Sequence, residues 1–312
     1  MNRAALGIDL GGTNIKVGIV TEQGELLHEA KVATESWQGP DALLAKLAGI
    51  ASESVPLAGT LGVRLDGVGI GTAGQVHRAS GQVLGATATL PGWAGMPLGA
   101  KIREETGLPV AVDNDVNMIA LGEAWHGAGR EWADFLCIAL GTGVGGCWIA
   151  DRSVYGGRDG YAGEFGHGII HMDGKLCSCG NKGCWEAYAS VTALQSLARE
   201  RGMQEQQLSP EELFRSARAN DMEALEVVDR YCGYIAAGLT GLVHTFNPAA
   251  IVLGGAIVAG QGDFLLDKVR SALEHSVMPA FRSPEPIRLV AAELGGHAGV
   301  IGAAMAALKT AE

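Results

Sequence analysis

Three of the six cysteines in this 312-residue chain stand within eight residues, in the stretch CSCGNKGC at 177–184. His167 precedes Cys177 by ten positions, so the spacing is H-x9-C-x-C-x4-C. One imidazole and three thiolates form the ligand set of a closed tetrahedral zinc site, whereas iron–sulfur clusters normally take four cysteines and a redox pair needs C-x-x-C. The predicted ligands of a structural zinc ion are therefore His167, Cys177, Cys179 and Cys184. Simple packing of the cysteines, and His171 as the nitrogen ligand, stay open as alternatives.

Glycine-rich turns follow several short apolar runs. The 47 glycines include those of GIDLGGT, GVGIGTAG, ALGTGVGG and IVLGGA. Successive backbone N–H groups in such a turn can cradle a phosphate, and glycine lets the backbone approach the anion closely. The stretch GTGVGG at 141–146 matches G-x-G-x-x-G, but the CWIA that follows predicts a strand and not the helix of a dinucleotide fold. We therefore expect phosphate to bind in a hairpin turn.

Asp9 is an acidic residue in an otherwise apolar run, just before the turn GGTN. A carboxylate there would repel phosphate unless a cation lay between them, so Asp9 indicates Mg²⁺ with a nucleotide; an Asp that only caps the turn is the alternative. Together these features resemble the phosphate hairpins of the sugar kinase, heat-shock protein 70 and actin superfamily, and IVLGGA resembles its adenosine loop. The resemblance implies ATP contacts from Gly11, Gly12, Thr13, Gly141, Thr142, Gly143, Gly254 and Gly255.

The stretch VDNDVN at 112–117 places Asn114 and Asp115 where a predicted strand ends and a helix begins. Either residue could simply be the N-cap of that helix. A sugar kinase, however, needs a carboxylate aimed at the attacking hydroxyl, because the hydroxyl loses its proton as the phosphoryl group is transferred. We assign the role of general base to Asp115 and the binding of neighbouring hydroxyls to Asn114.

The elements that must place these residues alternate between strands and helices. Strands are predicted at 4–10, 15–20, 26–33, 65–71, 109–112 and 251–253, and helices at 41–51, 98–105, 114–127, 185–201, 210–219, 222–246, 264–275 and 298–308. The stretch IALGTGVGGCWIA at 138–150 mirrors IDLGGTNIKVGIV at 8–20, each as strand, glycine turn and strand. The pattern predicts a duplicated α/β fold with an interdomain cleft. We place the domains at 1–121 plus 297–312 and at 122–296.

Composition and charge argue against several classes of protein. With 47% hydrophobic and 18% charged residues the chain has a globular composition, and its net charge of −11 disfavours a nucleic-acid partner. No signal-like start and no apolar stretch of 18 residues occurs, so we expect a cytoplasmic protein without a membrane partner. Disulfides are disfavoured in that reducing compartment. The remaining cysteines, Cys137, Cys147 and Cys232, lie among apolar residues and are predicted to be core residues.

The segment AGEFGHGIIHMDGKLCSCGNKGCWEAYAS at 162–190 is very similar to the signature of the ROK family of bacterial sugar kinases, and the resemblance covers essentially the whole chain. It implies an actin-like (ribonuclease H-like) ATPase fold, ATP and Mg²⁺ as cosubstrate and cofactor, and a zinc ion that shapes one wall of the sugar pocket without entering the chemistry. It also implies a dimer or tetramer. His167 would both ligate zinc and touch the sugar. Further sugar contacts are implied for Gly74, Thr87, Glu164 and Glu186.

The positions of Glu164 and Glu186 in the sequence independently indicate that they bind sugar. They flank the metal segment without being needed as ligands, so their carboxylates are free to bind hydroxyl groups. Several such bonds at fixed angles would distinguish one epimer from another. Either glutamate could instead be an ordinary surface residue or part of a helix cap.

Three classes of function compete as explanations of these features. We expect a kinase that phosphorylates a hexose at the 6-hydroxyl, and glucose leads because CWEAYAS and PGWAGMPL resemble the glucokinase branch. The stretch ATATLPGW lacks the asparagine of many glucokinases, so N-acetylmannosamine, mannose, fructose and β-glucosides stay open. The family also contains sugar-sensing repressors with an N-terminal helix-turn-helix module, for which a first strand near Ala4 leaves no room. A chaperone or filament protein of the superfamily would not need the zinc signature.

Overall fold

The computed structural model of the protein describes residues 2–85, 87–282 and 286–311. In chain order the strands are β1 (Asn2–Leu10), β2 (Asn14–Thr21), β3 (Leu26–Ala33), β4 (Val63–Thr72), β5 (Val76–His77), β6 (Gln82–Val83), β7 (Val110–Asn114), β8 (Phe135–Leu140), β9 (Val144–Ala150), β10 (Ser153–Val154), β11 (Ala250–Gly254) and β12 (Arg288–Ala291). The α-helices are α1 (Pro40–Thr60), α2 (Leu98–Thr106), α3 (Asp115–His126), α4 (Glu186–Ala189), α5 (Val191–Glu200), α6 (Pro210–Arg218), α7 (Met222–Phe246), α8 (Ala256–Ser276) and α9 (Ala298–Thr310). None of these helices has the length and apolar character needed to cross a membrane.

Two five-stranded sheets repeat one topology. The first has the order β3-β2-β1-β4-β7 and the second the order β10-β9-β8-β11-β12. In each sheet the first strand in the chain is central, the next two extend to one edge, and the last two run parallel beyond it. The prediction of a duplicated α/β fold is therefore confirmed at the level of strand order.

The chain divides into two compact units. Unit one comprises Met1–Ala133, Ile149–Ala162 and Gly296–Glu312, and unit two comprises Asp134–Trp148 and Gly163–Gly295. The domain boundary that we placed at 121/122 falls inside α3, and unit one continues beyond it to Ala133. The functional division at 121 and 296 stays a prediction.

Helix α9 lies directly on the backbone of the first sheet. A Cβ at Gly7 of β1 would stand 2.0 Å from the Val300 carbonyl oxygen, and one at Gly69 of β4 would stand 1.7 Å from that of Ala303. Only glycine permits so close an approach. The packing brings the first turn of α9 to the carboxyl ends of the central strands, where Asp9 lies.

The predicted helix 185–201 is wrong as a single helix. Ser190 has extended backbone angles (φ −78°, ψ 166°), and its side chain accepts a hydrogen bond from the Ala193 N–H. It therefore ends α4 and begins α5 as an N-cap, a role that serine favours because its oxygen satisfies a free helical N–H. The short edge strand β12 is a further element that the periodicity of the sequence does not predict.

Candidate active site and metal cluster

The carboxyl ends of β1, β4 and β7 form one edge of the first sheet. These strands are parallel, and in register Leu10 pairs with Thr72, which in turn pairs with Asn114. The glycine turn after Leu10 and the β7–α3 junction therefore lie two strand spacings apart, about 10 Å. Ligands of open α/β sheets bind at such carboxyl edges.

The junction itself holds Asn114 as the N-cap of α3 and Asp115 as its first residue. The Val116 N–H donates to Asn114 Oδ1 and to Asp115 Oδ1, at 2.9 Å in both cases. The Asn114 amide also donates to the Gly74 carbonyl oxygen at 3.2 Å. The N-cap alternative is thus confirmed for Asn114, and the structure brings three of the predicted sugar residues together.

Asp113, which the sequence argument passed over, supports this junction from below. Its Oδ1 accepts hydrogen bonds from the Asn114 N–H at 2.8 Å and the Asn117 side-chain amide at 2.9 Å. Its Oδ2 forms an ion pair with Arg78. Asp113 is buried, so its carboxylate serves the protein's own donors, whereas Asp115 is only half-buried.

Asp9 faces Lys16 across the first hairpin. The two residues are register partners, and Lys16 Nζ lies 3.7 Å from Asp9 Oδ2 while donating to the Gly296 carbonyl oxygen at 2.9 Å. Burial raises the pKa of Asp9, and the Lys16 ammonium acts against that shift. A Cβ at Gly299 would stand 2.9 Å from Asp9 Cγ, so the first turn of α9 closes on the carboxylate.

The first glycine turn is braced by two threonines. The Thr34 hydroxyl donates to the Gly11 carbonyl oxygen at 2.7 Å, and a Cβ at Gly12 would stand 2.6 Å from Thr89 Cβ. Thr89 Oγ1 lies 2.8 Å from Thr87 Oγ1. The predicted phosphate residues Gly11 and Gly12 are thus close to the segment that carries the predicted sugar residue Thr87.

In unit two, the second glycine turn lies close to two other predicted site segments, the loop with Gly255 and the residue Glu186. A Cβ at Gly255, whose φ is +95°, would stand 2.1 Å from the Leu140 carbonyl oxygen, so the adenosine-type loop lies against the strand that leads into Gly141. A Cβ at Gly143 would stand 2.4 Å from Glu186 Oε2, which accepts a hydrogen bond from the Val144 N–H at 3.0 Å. The predicted nucleotide residues of this unit are therefore adjacent.

The four predicted zinc ligands form one cluster. Ligand atoms of His167, Cys177, Cys179 and Cys184 all lie within 4.8 Å of one another. Cys177 Sγ is 3.6 Å from His167 Nδ1, and the Cys179 and Cys184 sulfurs are also 3.6 Å apart. With Zn–S bonds of about 2.3 Å, a tetrahedral site needs sulfurs just under 4 Å apart. All six cysteines are free thiols, so the cluster fits a Cys₃His metal site and not a disulfide.

His167 presents its two ring nitrogens to different neighbours. Nδ1 faces the cysteine cluster, while Nε2 lies 3.9 Å from Glu164 Oε2. Glu186 Oε1 accepts from the Ser178 hydroxyl at 3.0 Å, so this carboxylate joins the metal loop to the second glycine turn. His171 is outside the cluster and stacks on Tyr188 with ring centroids 6.2 Å apart.

Comparisons with known proteins agree with these motifs. The model of the ROK family matches residues 5–310. A glucokinase of Thermotoga maritima is 34% identical over 312 residues, which cover 96% of this chain and 95% of its own. A ROK family glucokinase from Streptomyces griseus, solved in complex with glucose and AMPPNP, has a TM-score of 0.79 and 34% identity over 96% of this chain and 98% of its own.

Repressors are also among the relatives. A xylose repressor of Caldicellulosiruptor bescii is 30% identical over 283 residues, which cover 86% of this chain and 69% of its own. Similarity over nearly the whole length, in sequence and in structure, assigns the duplicated sheets to the actin-like ATPase fold of the sugar kinases. The chain belongs to the ROK family.

Proposed function

We propose that the protein is an ATP-dependent hexose kinase that phosphorylates the 6-hydroxyl of its sugar, with glucose as the preferred substrate. Its glucokinase relatives support a sugar kinase. The observation that carries the proposal is the position of Asp115, a half-buried carboxylate at the start of α3, on the same sheet edge as the Asp9 turn.

The transfer requires four actions from the chain's own residues. Asn114 orients the sugar hydroxyls. Asp115 accepts the proton of the 6-hydroxyl as the hydroxyl oxygen bonds to the γ-phosphorus and the bond between the γ-phosphorus and the bridging β-phosphate oxygen breaks. The turns at 11–13 and 141–143 hold the phosphates through backbone N–H groups. Asp9 would hold Mg²⁺, which neutralises the charge that develops on the phosphate oxygens when it is bound.

Sugar specificity in this proposal depends on unit two. Glu164, Glu186 and His167 supply two carboxylate acceptors and one ring nitrogen. If Nδ1 binds zinc, the imidazole would carry its proton on Nε2 and could donate it to a sugar hydroxyl. Zinc would fix the orientation of this ring and of the loop that holds Glu186, without a part in the transfer.

Three further details belong to the proposal. N-acetylmannosamine, mannose, fructose and β-glucosides are the alternative substrates. We also propose a cytoplasmic location and a homo-oligomer, either a dimer or a tetramer. Light scattering on the purified protein tests the oligomeric state directly.

A sugar-sensing protein is the second candidate, because a repressor is among the relatives. A sensor would need the sugar-binding groups but no group that accepts a proton from the hydroxyl. The two candidates therefore differ in whether ADP forms.

The test measures ADP release from Mg-ATP with glucose, N-acetylmannosamine, mannose, fructose and a β-glucoside. We expect turnover with glucose at a kcat of order 10 s⁻¹ or above, the typical range for enzymes. The matched control is 6-deoxyglucose, which keeps every other hydroxyl and lacks the attacking one, and it should bind without reaction. Binding of glucose by calorimetry without ADP formation would overturn the kinase assignment and favour the sensor. Equal turnover with 6-deoxyglucose would overturn the assignment of the 6-hydroxyl.

A further inference from the structure

An ion pair lies directly behind the proposed catalytic junction. Arg78 follows the short strand β5, and its Nη2 pairs with Asp113 Oδ2 on β7. Because Oδ1 of the same carboxylate accepts from the Asn114 N–H and the Asn117 amide, one buried anion joins the arginine to the first turn of α3. Besides the peptide bond between Asp113 and Asn114, two hydrogen bonds therefore tie the ion pair to the start of α3.

The guanidinium also contacts a third segment. Its Nη1 lies 3.4 Å from the Val154 carbonyl oxygen, and a Cβ at Gly156 would stand 2.8 Å from that nitrogen. A Cβ at Gly160 would stand 3.9 Å from the arginine Cγ and Cδ. Arg78 thus supports the part of unit one at 149–162 as well as the α3 junction, and in sequence that part continues directly into the E-x-G-H of the sugar residues.

Burial makes the ion pair sensitive to loss of either partner. Asp113 is 7% exposed, and a buried carboxylate that loses its cation either moves toward water or reorganises its remaining donors. Those donors are the backbone and side-chain amides that set the start of α3. Removal of the arginine should therefore displace Asp115 while leaving the strands and the core of unit one in place.

We infer that Arg78 and Asp113 are positioning residues for phosphoryl transfer. They act through Asn114 and the α3 N-terminus, which set the place of the proposed base. This inference rests on the proposed function, because it assigns the pair to the same reaction. A displacement of about 1 Å at a reacting group can lower a rate by about 100-fold.

The experiment compares Arg78→Ala with Asp113→Asn and with the exposed control Arg158→Ala. Arg158 is 91% exposed and pairs with its chain neighbour Asp159, so its removal should leave all kinetic constants unchanged. For Arg78→Ala we expect kcat to fall by about 30- to 100-fold, KM for the sugar to rise, and KM for ATP to change by less than about threefold. The melting temperature should fall, because the buried Asp113 carboxylate loses its cation, so the kinetics are measured well below it.

Chemical rescue separates positioning from a loss of folding. Guanidinium at low millimolar concentration should raise the kcat of Arg78→Ala by at least about tenfold, because the cation can reoccupy the space next to Asp113. It should restore nothing in Asp113→Asn, which has no charge to attract it. The double variant should be no slower than the slower single variant, since both remove the same interaction.

Full activity of Arg78→Ala, or a fall in kcat that tracks only the fraction of unfolded protein, would overturn the inference. An inactive wild type would instead contradict the proposed function. In that case glucose binding is measured by calorimetry, where the inference requires at least about tenfold weaker binding by Arg78→Ala, again with rescue by guanidinium. Unchanged binding would overturn it.

Discussion

Replacement of Asp115 by asparagine tests the proposed base with little disturbance of the fold. The Val116 N–H donates to oxygens of both Asn114 and Asp115. An asparagine at 115 keeps an oxygen at the same place and nearly the same volume, and the N-cap residue is untouched. We therefore expect the free energy of unfolding to change by less than about 0.5 kcal/mol, as for most substitutions that leave caps and core intact.

The expected loss of activity follows from the chemistry of the amide. A side-chain amide cannot accept the proton of the attacking hydroxyl at neutral pH, and general-base catalysis contributes about 10² to 10⁴ in rate. At 1.36 kcal/mol for each factor of ten, this is about 3 to 5 kcal/mol of transition-state stabilisation. Sugar affinity should remain within about threefold of the wild type, because Asn114 and the residues of unit two are unchanged.

The assay measures ADP release at saturating glucose and Mg-ATP, with glucose affinity determined separately by calorimetry. Single-turnover measurements ensure that the chemical step is observed even where product release limits the wild type. If Asp115→Asn retained more than about a tenth of the wild-type rate of the chemical step, Asp115 would not be the base. If glucose binding disappeared together with turnover, its main role would be in binding.

The other predictions concern the metal, the second turn and stability. The purified protein should contain one zinc ion per chain, and Cys179→Ser should lose it and lower both melting temperature and sugar affinity; zinc-free wild type would contradict this. Gly143→Ala should raise KM for the sugar about tenfold, because its Cβ would stand 2.4 Å from the Glu186 carboxylate; unchanged kinetics would show that Glu186 can move without cost. The Arg3 hydrogen bond holds the pKa of Asp66 below its ordinary value. Its stabilisation is therefore present above about pH 4, the usual carboxyl range, and is lost as the pH falls through the lower folded-state pKa. Asp66→Asn should accordingly cost about 1–2 kcal/mol at pH 7 and progressively less as the pH falls below about 4, as measured by urea unfolding across this range.

Local features of this molecule could be predicted from the sequence, whereas pairings between residues far apart in the chain could not. The cysteine spacing predicted the four-residue cluster because a short loop returns on itself, and glycine turns between apolar runs predicted both hairpins. By contrast, Arg78 and Asp113 lie 35 residues apart, and only the packing of β5, from a separate two-stranded sheet, against β7 brings them together. Asp113 had one usable signal, a charged residue within a buried strand. Arg78 had none, since it looks like any polar residue of a connecting loop.

Comparison of the two repeats also distinguishes Asp9 as the acidic residue proposed to hold Mg²⁺. The repeats IDLGG and IALGT place Asp9 and Ala139 at equivalent positions, so only the first hairpin keeps a carboxylate. Under the proposed function this asymmetry is expected, because a single Mg²⁺ neutralises the triphosphate and a second carboxylate would add only repulsion. Lys16 Nζ lies 3.7 Å from Asp9 Oδ2 as an ion pair, so a bound Mg²⁺ would share the Asp9 carboxylate with this ammonium.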